Sequence, residues 1–173
     1  MAEAGPQGAT GRTGFSGAVE RLVTFWAIAG GVVLLAVIAM NVISVVGTIF
    51  GHPFPGDFEM TEVGVAVAAF AFLPFCQISD ANVTADIFTS RASPRVLAVL
   101  RFAASLVALL FGGLLVWRMY LGMLDQKAYG YTTAILQFPI WEAFLPILAS
   151  LALLTLASAV TLVESLKRAV QHG

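Results

Sequence analysis

Four long segments of the chain contain no Asp, Glu, Lys or Arg: residues 22–51, 63–79, 102–117 and 143–163. A helix rises about 1.5 Å per residue, so about 20 apolar residues cross a hydrocarbon layer roughly 30 Å thick. The first and fourth segments meet this length directly. The third meets it over 96–120 if its flanking arginines extend to the membrane surface, and the second by including Thr61 and its neighbours. The pattern predicts an all-α membrane protein with four transmembrane helices.

Composition supports a membrane environment for most of the chain. The 173 residues are 59% hydrophobic with a mean hydropathy of +0.91, which leaves too little polar sequence to surround a soluble core. Residues 1–14, rich in Gly, Ala and Thr, predict a flexible tail; residues 15–168 predict a single transmembrane domain, and 169–173 a second tail. The first apolar run is too long for a cleavable signal peptide, so we expect it to be retained as a helix.

The basic residues predict the orientation in the membrane. Seven of the nine Lys and Arg residues lie in the N-terminal tail, the second loop or the C-terminal tail: Arg12, Arg21, Arg91, Arg95, Arg101, Lys167 and Arg168. Because cationic segments stay on the cytoplasmic side, both termini are predicted to be cytoplasmic. A formal net charge of −1 without a large basic cluster gives no indication of nucleic-acid binding.

Polar and small residues near the end of the first helix are candidates for helix packing. Asn41, Ser44 and Thr48 are spaced by three and four residues and so share one face, which we expect to meet another helix because lipid cannot satisfy an Asn amide. Gly47 and Gly51 form a GxxxG pattern, and Gly64 with Ala68 repeats small-xxx-small in the second helix. We interpret both patterns as packing within this chain in preference to a dimer interface.

Charged residues in the first two loops allow two interpretations each. Asp57, Glu59 and Glu62 could form a docking patch for an external partner, or be solvated acids that favour a helix N-terminus. In the inner loop, Asp86 could pair with Arg91 or Arg95, although such pairs contribute little at a wet interface. The segment from Asp80 to Ser90 also has apolar residues at helical spacing and predicts a short interfacial helix, and Ser93-Pro94 predicts the start of the third transmembrane helix.

The chain lacks the usual groups for intramembrane chemistry. No acidic residue lies deep in any predicted span, which argues against a self-sufficient proton- or cation-coupled carrier. His52 and His172, the only histidines, cannot face each other across a bundle as haem ligands would. No Cys/His cluster has metal-ligand spacing, no nucleophile has an evident base, and one cysteine excludes an intrachain disulfide. We therefore predict no catalytic residue, no metal site and no cofactor.

The order of these segments resembles the small, DctQ-like membrane subunit of tripartite ATP-independent periplasmic (TRAP) transporters over about residues 20–168. The resemblance rests on a first span that begins near an Arg, on a basic loop from Arg91 to Arg101, and on four stretches in order. These stretches are Pro55-Gly56-Asp57-Phe58-Glu59-Met60, Phe72-Leu73-Pro74-Phe75, Asn82-Val83-Thr84-Ala85-Asp86, and Ala134-Ile135-Leu136-Gln137-Phe138-Pro139-Ile140-Trp141. Glu59 resembles the family's acidic residue at the start of the second helix, and Asp86 its inner-loop Asp. Asn82 departs from the family pattern, where a His is usual.

The resemblance implies a multi-pass scaffold subunit of a secondary importer in the bacterial inner membrane. A periplasmic substrate-binding protein would deliver a small solute, often an organic acid, to a large membrane subunit that holds the substrate and ion sites. The alternatives are a free-standing four-helix carrier, such as a small multidrug exporter, and a membrane anchor of another complex. The exporters depend on a membrane-embedded Glu in the first helix, which this sequence lacks.

Overall fold

The computed structural model describes residues 15–52, 54–79 and 94–171. In these ranges the chain forms four α-helices: α1 (Phe15–Ile49), α2 (Asp57–Ile78), α3 (Pro94–Tyr129) and α4 (Ile140–Gln171). Each contains a stretch long and apolar enough to cross a membrane. The predicted all-α membrane architecture with four spans is confirmed, whereas the interfacial helix predicted for residues 80–90 lies outside the described residues.

Local sequence explains where two of the helices begin. The α3 helix starts at Pro94, as predicted, because proline has a helical φ and lacks only a hydrogen-bond donor that the first turn does not use. The α2 helix starts at Asp57, several residues before the uncharged segment, with Asp57 and Glu59 in its first turn. Acidic groups near a helix N-terminus are stabilised by its unpaired N–H groups, so the polar start extends α2 to 22 residues.

The spatial order of the helices differs from their order in the chain. The most extensive contacts join α3 to α4, α1 to α2 and α2 to α4, with a smaller contact between α1 and α4. The helices therefore lie side by side in a row in the order α1, α2, α4, α3, so α4 has a neighbour on each side. Trp26 of α1 donates an indole hydrogen bond to the Ser150 hydroxyl of α4 at 2.8 Å, which links the first helix directly to the last.

Small residues allow α1 and α2 to approach closely. A Cβ at Gly30 of α1 would lie 2.6 Å from the Cβ of Ala71, and a Cβ at Gly64 of α2 would overlap a methyl group of Val37. Ala68 is 1% exposed in the same contact. The small-xxx-small pattern of α2 thus marks a contact inside this chain.

The two connections α1–α2 (residues 50–56) and α3–α4 (residues 130–139) lie at one end of the molecule, here named the turn end. Both helices that run into it stop in the same way. The Gly51 N–H donates to the Thr48 carbonyl and the His52 N–H to the Gly47 carbonyl, with Gly51 at φ 75°. This Schellman arrangement is repeated at Gly130 after α3, so each glycine supplies the left-handed residue that ends its helix.

A buried apolar cluster lies near the opposite end, where the start of α1, the end of α2 and α4 meet. It is made of Val19, Val23, Ile78, Ala157 and Val160. The helices are therefore joined at both ends by different means, with apolar burial at one end and polar contacts at the turn end.

Candidate functional site

The α3–α4 connection folds as a small hairpin. Thr132 and Pro139 form an isolated antiparallel bridge, and the Thr133 N–H donates to the Phe138 carbonyl at 2.9 Å. Gln137 adopts a positive φ of 54°, and its side-chain amide donates to the Ala134 carbonyl at 3.1 Å. These bonds turn the tip of the hairpin, residues 134–136, so that its backbone N–H groups are free to bond elsewhere.

Those N–H groups bind the carboxylate of Glu59. The Ile135 N–H donates to Oε1 at 2.7 Å and the Leu136 N–H to Oε2 at 3.0 Å, so each oxygen accepts one bond. These two backbone bonds, with the Ala134 backbone and the Thr133 side chain nearby, outweigh desolvation and hold the pKa of the Glu59 carboxyl below its usual value. Consecutive N–H groups around one anion form a concave binding arrangement that suits a carboxylate. Glu59 therefore fastens the α3–α4 hairpin to the first turn of α2; we call this contact the Glu59 clamp.

A close contact beside the clamp positions the same hairpin. Gly56 precedes α2 at φ 76°, is buried, and faces the Leu136 side chain; a Cβ there would lie 2.5 Å from Leu136 Cγ. A side chain at position 56 would displace Leu136 as well as strain the backbone. Glycine is thus required by both the conformation and the hairpin.

A chain of hydrogen bonds joins α1 to α2 just below the clamp. The Ser44 hydroxyl donates to Asp57 Oδ2, and the other carboxylate oxygen of Asp57 accepts from the Phe58 N–H at 2.8 Å. The Thr61 hydroxyl donates to the Asp57 carbonyl at 2.7 Å and accepts from Asn41 Nδ2 at 2.8 Å. The turn end is therefore held by acidic residues of α2 that bind inward, toward α1 and toward the hairpin.

A family model described as "Tripartite ATP-independent periplasmic transporters, DctQ component" matches residues 34–168. The chain belongs to the DctQ family. The match covers most of the chain, including α2, the Glu59 clamp and the hairpin, and it confirms the resemblance drawn from the sequence. No curated protein and no solved structure gave a significant match. As a DctQ component, the chain is a small membrane subunit of a TRAP transporter.

The three acidic residues proposed as a docking patch lie in different environments in this DctQ chain. Asp57 binds Ser44 of α1, and Glu59 binds the hairpin. Glu62 is exposed and makes no hydrogen bond or ion pair with the described residues. Two of the three carboxylates therefore have partners inside the subunit, and Glu62 is the one that remains available to an external group.

The polar face of α1 is divided between two roles. Asn41 and Ser44 contact α2, whereas Thr48 is exposed and donates back to the Ser44 carbonyl of its own helix at 2.9 Å. Of the GxxxG pair, Gly47 supplies a carbonyl to the helix cap, and Gly51 lies beyond the end of α1 with nothing within 4 Å of an added Cβ. The structure thus corrects the prediction that Gly51 packs against another helix of this chain, because Gly51 caps α1 instead. A spacing of four residues occurs both in helix–helix interfaces and at helix caps, so it does not distinguish the two.

The inner-loop candidates cannot be placed in the same way. Asp86 and Arg91 lie outside the described residues, and so does the side chain of Arg95, whose backbone belongs to α3.

Sequence reasoning missed the partner of Glu59. The hairpin segment and the Glu59 segment both carried the family resemblance, but 76 residues separate Glu59 from Ile135 and no periodicity links them. It also missed that the Lys127 ammonium lies 4.8 Å from the centroid of the Trp141 ring, a cation–π contact that joins the end of α3 to the start of α4. Both contacts depend on the tertiary structure.

We predict that Glu59→Gln loosens the hairpin while leaving the helices intact. A glutamine keeps one acceptor oxygen but replaces the other with an NH₂ group, which cannot accept from a backbone N–H. Hydrogen exchange of the peptide containing Ile135 and Leu136 should become faster, with little change in the exchange of α1. Glu62→Gln, an acid in the same helix without a described partner, is the matched control. Equal protection of the hairpin in both variants would contradict the clamp.

Proposed function

We propose that this DctQ chain is a non-enzymatic scaffold subunit that packs on the large membrane subunit of its TRAP transporter. The large subunit holds the substrate and coupling-ion sites, and a periplasmic binding protein delivers the solute, a small organic acid. The complex lies in the bacterial inner membrane with both termini of this chain in the cytoplasm. That orientation places the turn end, with the clamp and the free carboxylate of Glu62, on the periplasmic side.

The observation that carries the proposal is the distribution of charge. No Asp, Glu, Lys or Arg occurs in residues 22–51, 63–79, 102–117 or 143–163. An organic anion needs cationic or strongly polar partners to leave water, and a coupling cation needs oxygen ligands that usually include a carboxylate. The acids of α2 near the membrane surface, Asp57 and Glu59, are already bound within the subunit. The spans are suited to packing and poorly suited to solute binding.

The exposed surfaces of α1 and α3 support the scaffold role. Few residues in the most apolar windows of these two spans are buried, 6% for α1 and 11% for α3, against 39% for α4. Their exposed side chains are mostly large and apolar, for example Phe25, Ile28, Val32 and Leu35 of α1 and Val107, Leu110, Phe111 and Leu114 of α3. The exposed apolar faces of α1 and α3 are broad enough to contact both lipid and a protein partner.

Reconstitution separates this proposal from a free-standing carrier. We expect proteoliposomes with the purified subunit alone to take up organic acids no faster than empty vesicles, under either a sodium or a proton gradient. Uptake should require the large subunit and the binding protein together. A matched sample with the large subunit and binding protein but without this chain tests whether the scaffold is needed. Ion-driven uptake by this chain alone would overturn the scaffold proposal.

A further inference from the structure

The hairpin between α3 and α4 holds its shape by bonds within itself. The Ile140 N–H donates to the Tyr131 carbonyl at 3.1 Å and closes the base. Two further bonds join the strands, from the Thr133 N–H to the Phe138 carbonyl at 2.9 Å and from the Phe138 N–H to the Thr133 hydroxyl oxygen at 3.1 Å. Because these bonds are local, the hairpin can change its position as one unit without losing its fold.

A single carboxylate supplies the hydrogen bonds that hold this unit against α2. In the described part of the chain, every hydrogen bond between the hairpin and α2 ends on Glu59, with N···O distances of 2.7 Å for Ile135 and 3.0 Å for Leu136. The apolar contact beside it is incomplete, since Leu136 faces Gly56 but remains 39% exposed, and Ile135 is 61% exposed. The position of the hairpin therefore depends on the charge state of Glu59.

Protonation weakens one of the two acceptors that the hairpin uses. The ionised carboxylate accepts at both oxygens, whereas the neutral acid carries a proton on one oxygen and keeps only a weak acceptor there. The Ile135 and Leu136 N–H groups lie at an exposed tip, so water can replace the lost acceptor once the hairpin has moved away. One proton taken from the solvent therefore shifts the hairpin from its bound position toward a released one.

The range of this pH dependence follows from the pKa of Glu59. Desolvation raises that pKa, but the hydrogen bonds from the hairpin lower it by more, so the pKa lies below its usual 4.5. A lowered pKa means that the bound hairpin favours the ionised carboxylate. The attachment is thus complete above about pH 4.5 and is lost as the pH falls through the lower pKa of the bound state.

Other titratable groups lie near the turn end, but none forms an ion pair with Glu59 in the part of the chain that the structure describes. They are Asp57 and Glu62 of α2, His52 of the α1–α2 connection, Asp125, Lys127 and Tyr129 of α3, Tyr131 of the hairpin and Glu142 of α4. A change in hairpin position that requires Glu59 can therefore be separated from their titration by substitution.

We propose that the Glu59 clamp is released by acid: when Glu59 takes up a proton, the hairpin leaves α2 as a unit while the helices stay packed. The helices have contacts of their own, since α3 packs along α4 and the Lys127 ammonium lies 4.8 Å from the Trp141 ring centroid across the base of the hairpin. Gly130, at φ 63° with open space around it, lies where the hairpin leaves α3 and is suited to act as a pivot. In the orientation proposed above, the released hairpin faces the periplasm.

Amide NMR of the purified subunit in detergent tests the trigger. As the pH falls from about 7 to about 3.5, the Ile135 and Leu136 amide signals should titrate together with a midpoint below 4.5. The titration should be absent in Glu59→Gln and retained in Glu62→Gln, the matched control. The indole N–H of Trp26, which binds α4 away from the turn end, should keep its signal and so show that the helices stay packed. Titration of the hairpin amides in Glu59→Gln would assign the trigger to another group and overturn the proposal.

Spin labels test the movement. With Cys76 replaced by Ala, labels at Ala134 on the exposed hairpin tip and at Ile49, 76% exposed at the end of α1, report the distance between the two elements. We expect a narrow distance distribution at neutral pH that broadens and shifts to longer values in acid. Glu59→Gln should give the broad distribution already at neutral pH, which keeps the test decisive if acid unfolds the subunit. A narrow distribution in Glu59→Gln would overturn the proposal.

Both measurements use this subunit alone, so their result does not depend on the scaffold function. If the hairpin responds to acid as expected but the chain transports solute by itself, only the scaffold function is wrong. If the chain serves as a scaffold but the hairpin stays bound in Glu59→Gln, only the release by acid is wrong.

Discussion

Replacing Gly30 by Ala is expected to destabilise the subunit by about 1–3 kcal/mol, because the new methyl group would lie 2.6 Å from the Cβ of Ala71. Backbones that approach this closely cannot admit a further carbon unless α1 and α2 separate. The expected result is a lower melting temperature of the purified subunit in detergent. The higher helix propensity of Ala, about 1 kcal/mol relative to Gly, opposes the effect but does not cancel it.

The neighbouring glycine provides the control. A Cβ at Gly31 would make only ordinary contact with Phe72 Cζ, at 3.9 Å, so Gly31→Ala should be neutral or slightly stabilising. Ala71→Gly in the Gly30→Ala background removes the opposing methyl group and should recover much of the loss. A double variant as unstable as the sum of its two single variants would show that these residues are not in contact.

The second large effect is expected at Gly56. Ala at a left-handed position costs about 1–2 kcal/mol, a cost that Gly56→Ala and Gly51→Ala share because their φ values are 76° and 75°. At position 56 the new methyl group would also displace Leu136, adding about 1 kcal/mol or more, whereas position 51 has nothing within 4 Å. We therefore expect Gly56→Ala to lower the melting temperature more than Gly51→Ala does.

The difference between these two variants isolates the hairpin contact from backbone strain. Leu136→Ala should reduce the extra cost of Gly56→Ala and have no such effect on Gly51→Ala. Hydrogen exchange in residues 134–136 should increase in Gly56→Ala alone. Identical melting temperatures for the two glycine variants would mean that Leu136 does not restrain the α2 N-terminus.

The sequence predicts features that depend on one helix at a time. Uncharged length defines four spans, Ser93-Pro94 marks the start of α3, and the small residues Gly64 and Ala68 mark a close contact. These predictions hold because solvation by lipid and backbone geometry act locally along the chain. The orientation in the membrane stays a prediction, since helices packed in a row are compatible with either direction.

Features that join distant segments could not be predicted in this way. Glu59 and Glu62 lie three residues apart and carry the same charge. Glu59 accepts hydrogen bonds from the hairpin, whereas Glu62 is exposed, and only the position of the hairpin explains this difference. Gly51 fits a packing motif by spacing, but Phe50 already lies outside α1, so the glycine serves as a cap. The roles of Glu59 and Gly51 depend on which segments of the chain are in contact. Composition and periodicity do not indicate those contacts.

The position of α4 between α2 and α3 has a consequence for biosynthesis. Chains enter the membrane from the N-terminus, so α1 and α2 can pair while α3 is still being made. The principal described neighbour of α3 is α4, which emerges from the ribosome after the other three helices. Until α4 is made, the surface of α3 around Gly112 lacks its contact with Thr155. Until the hairpin is made, the Glu59 carboxylate lacks the backbone N–H groups that bind it. Synthesis of the hairpin and α4 thus completes both the fastening of the turn end and the lateral packing of α3.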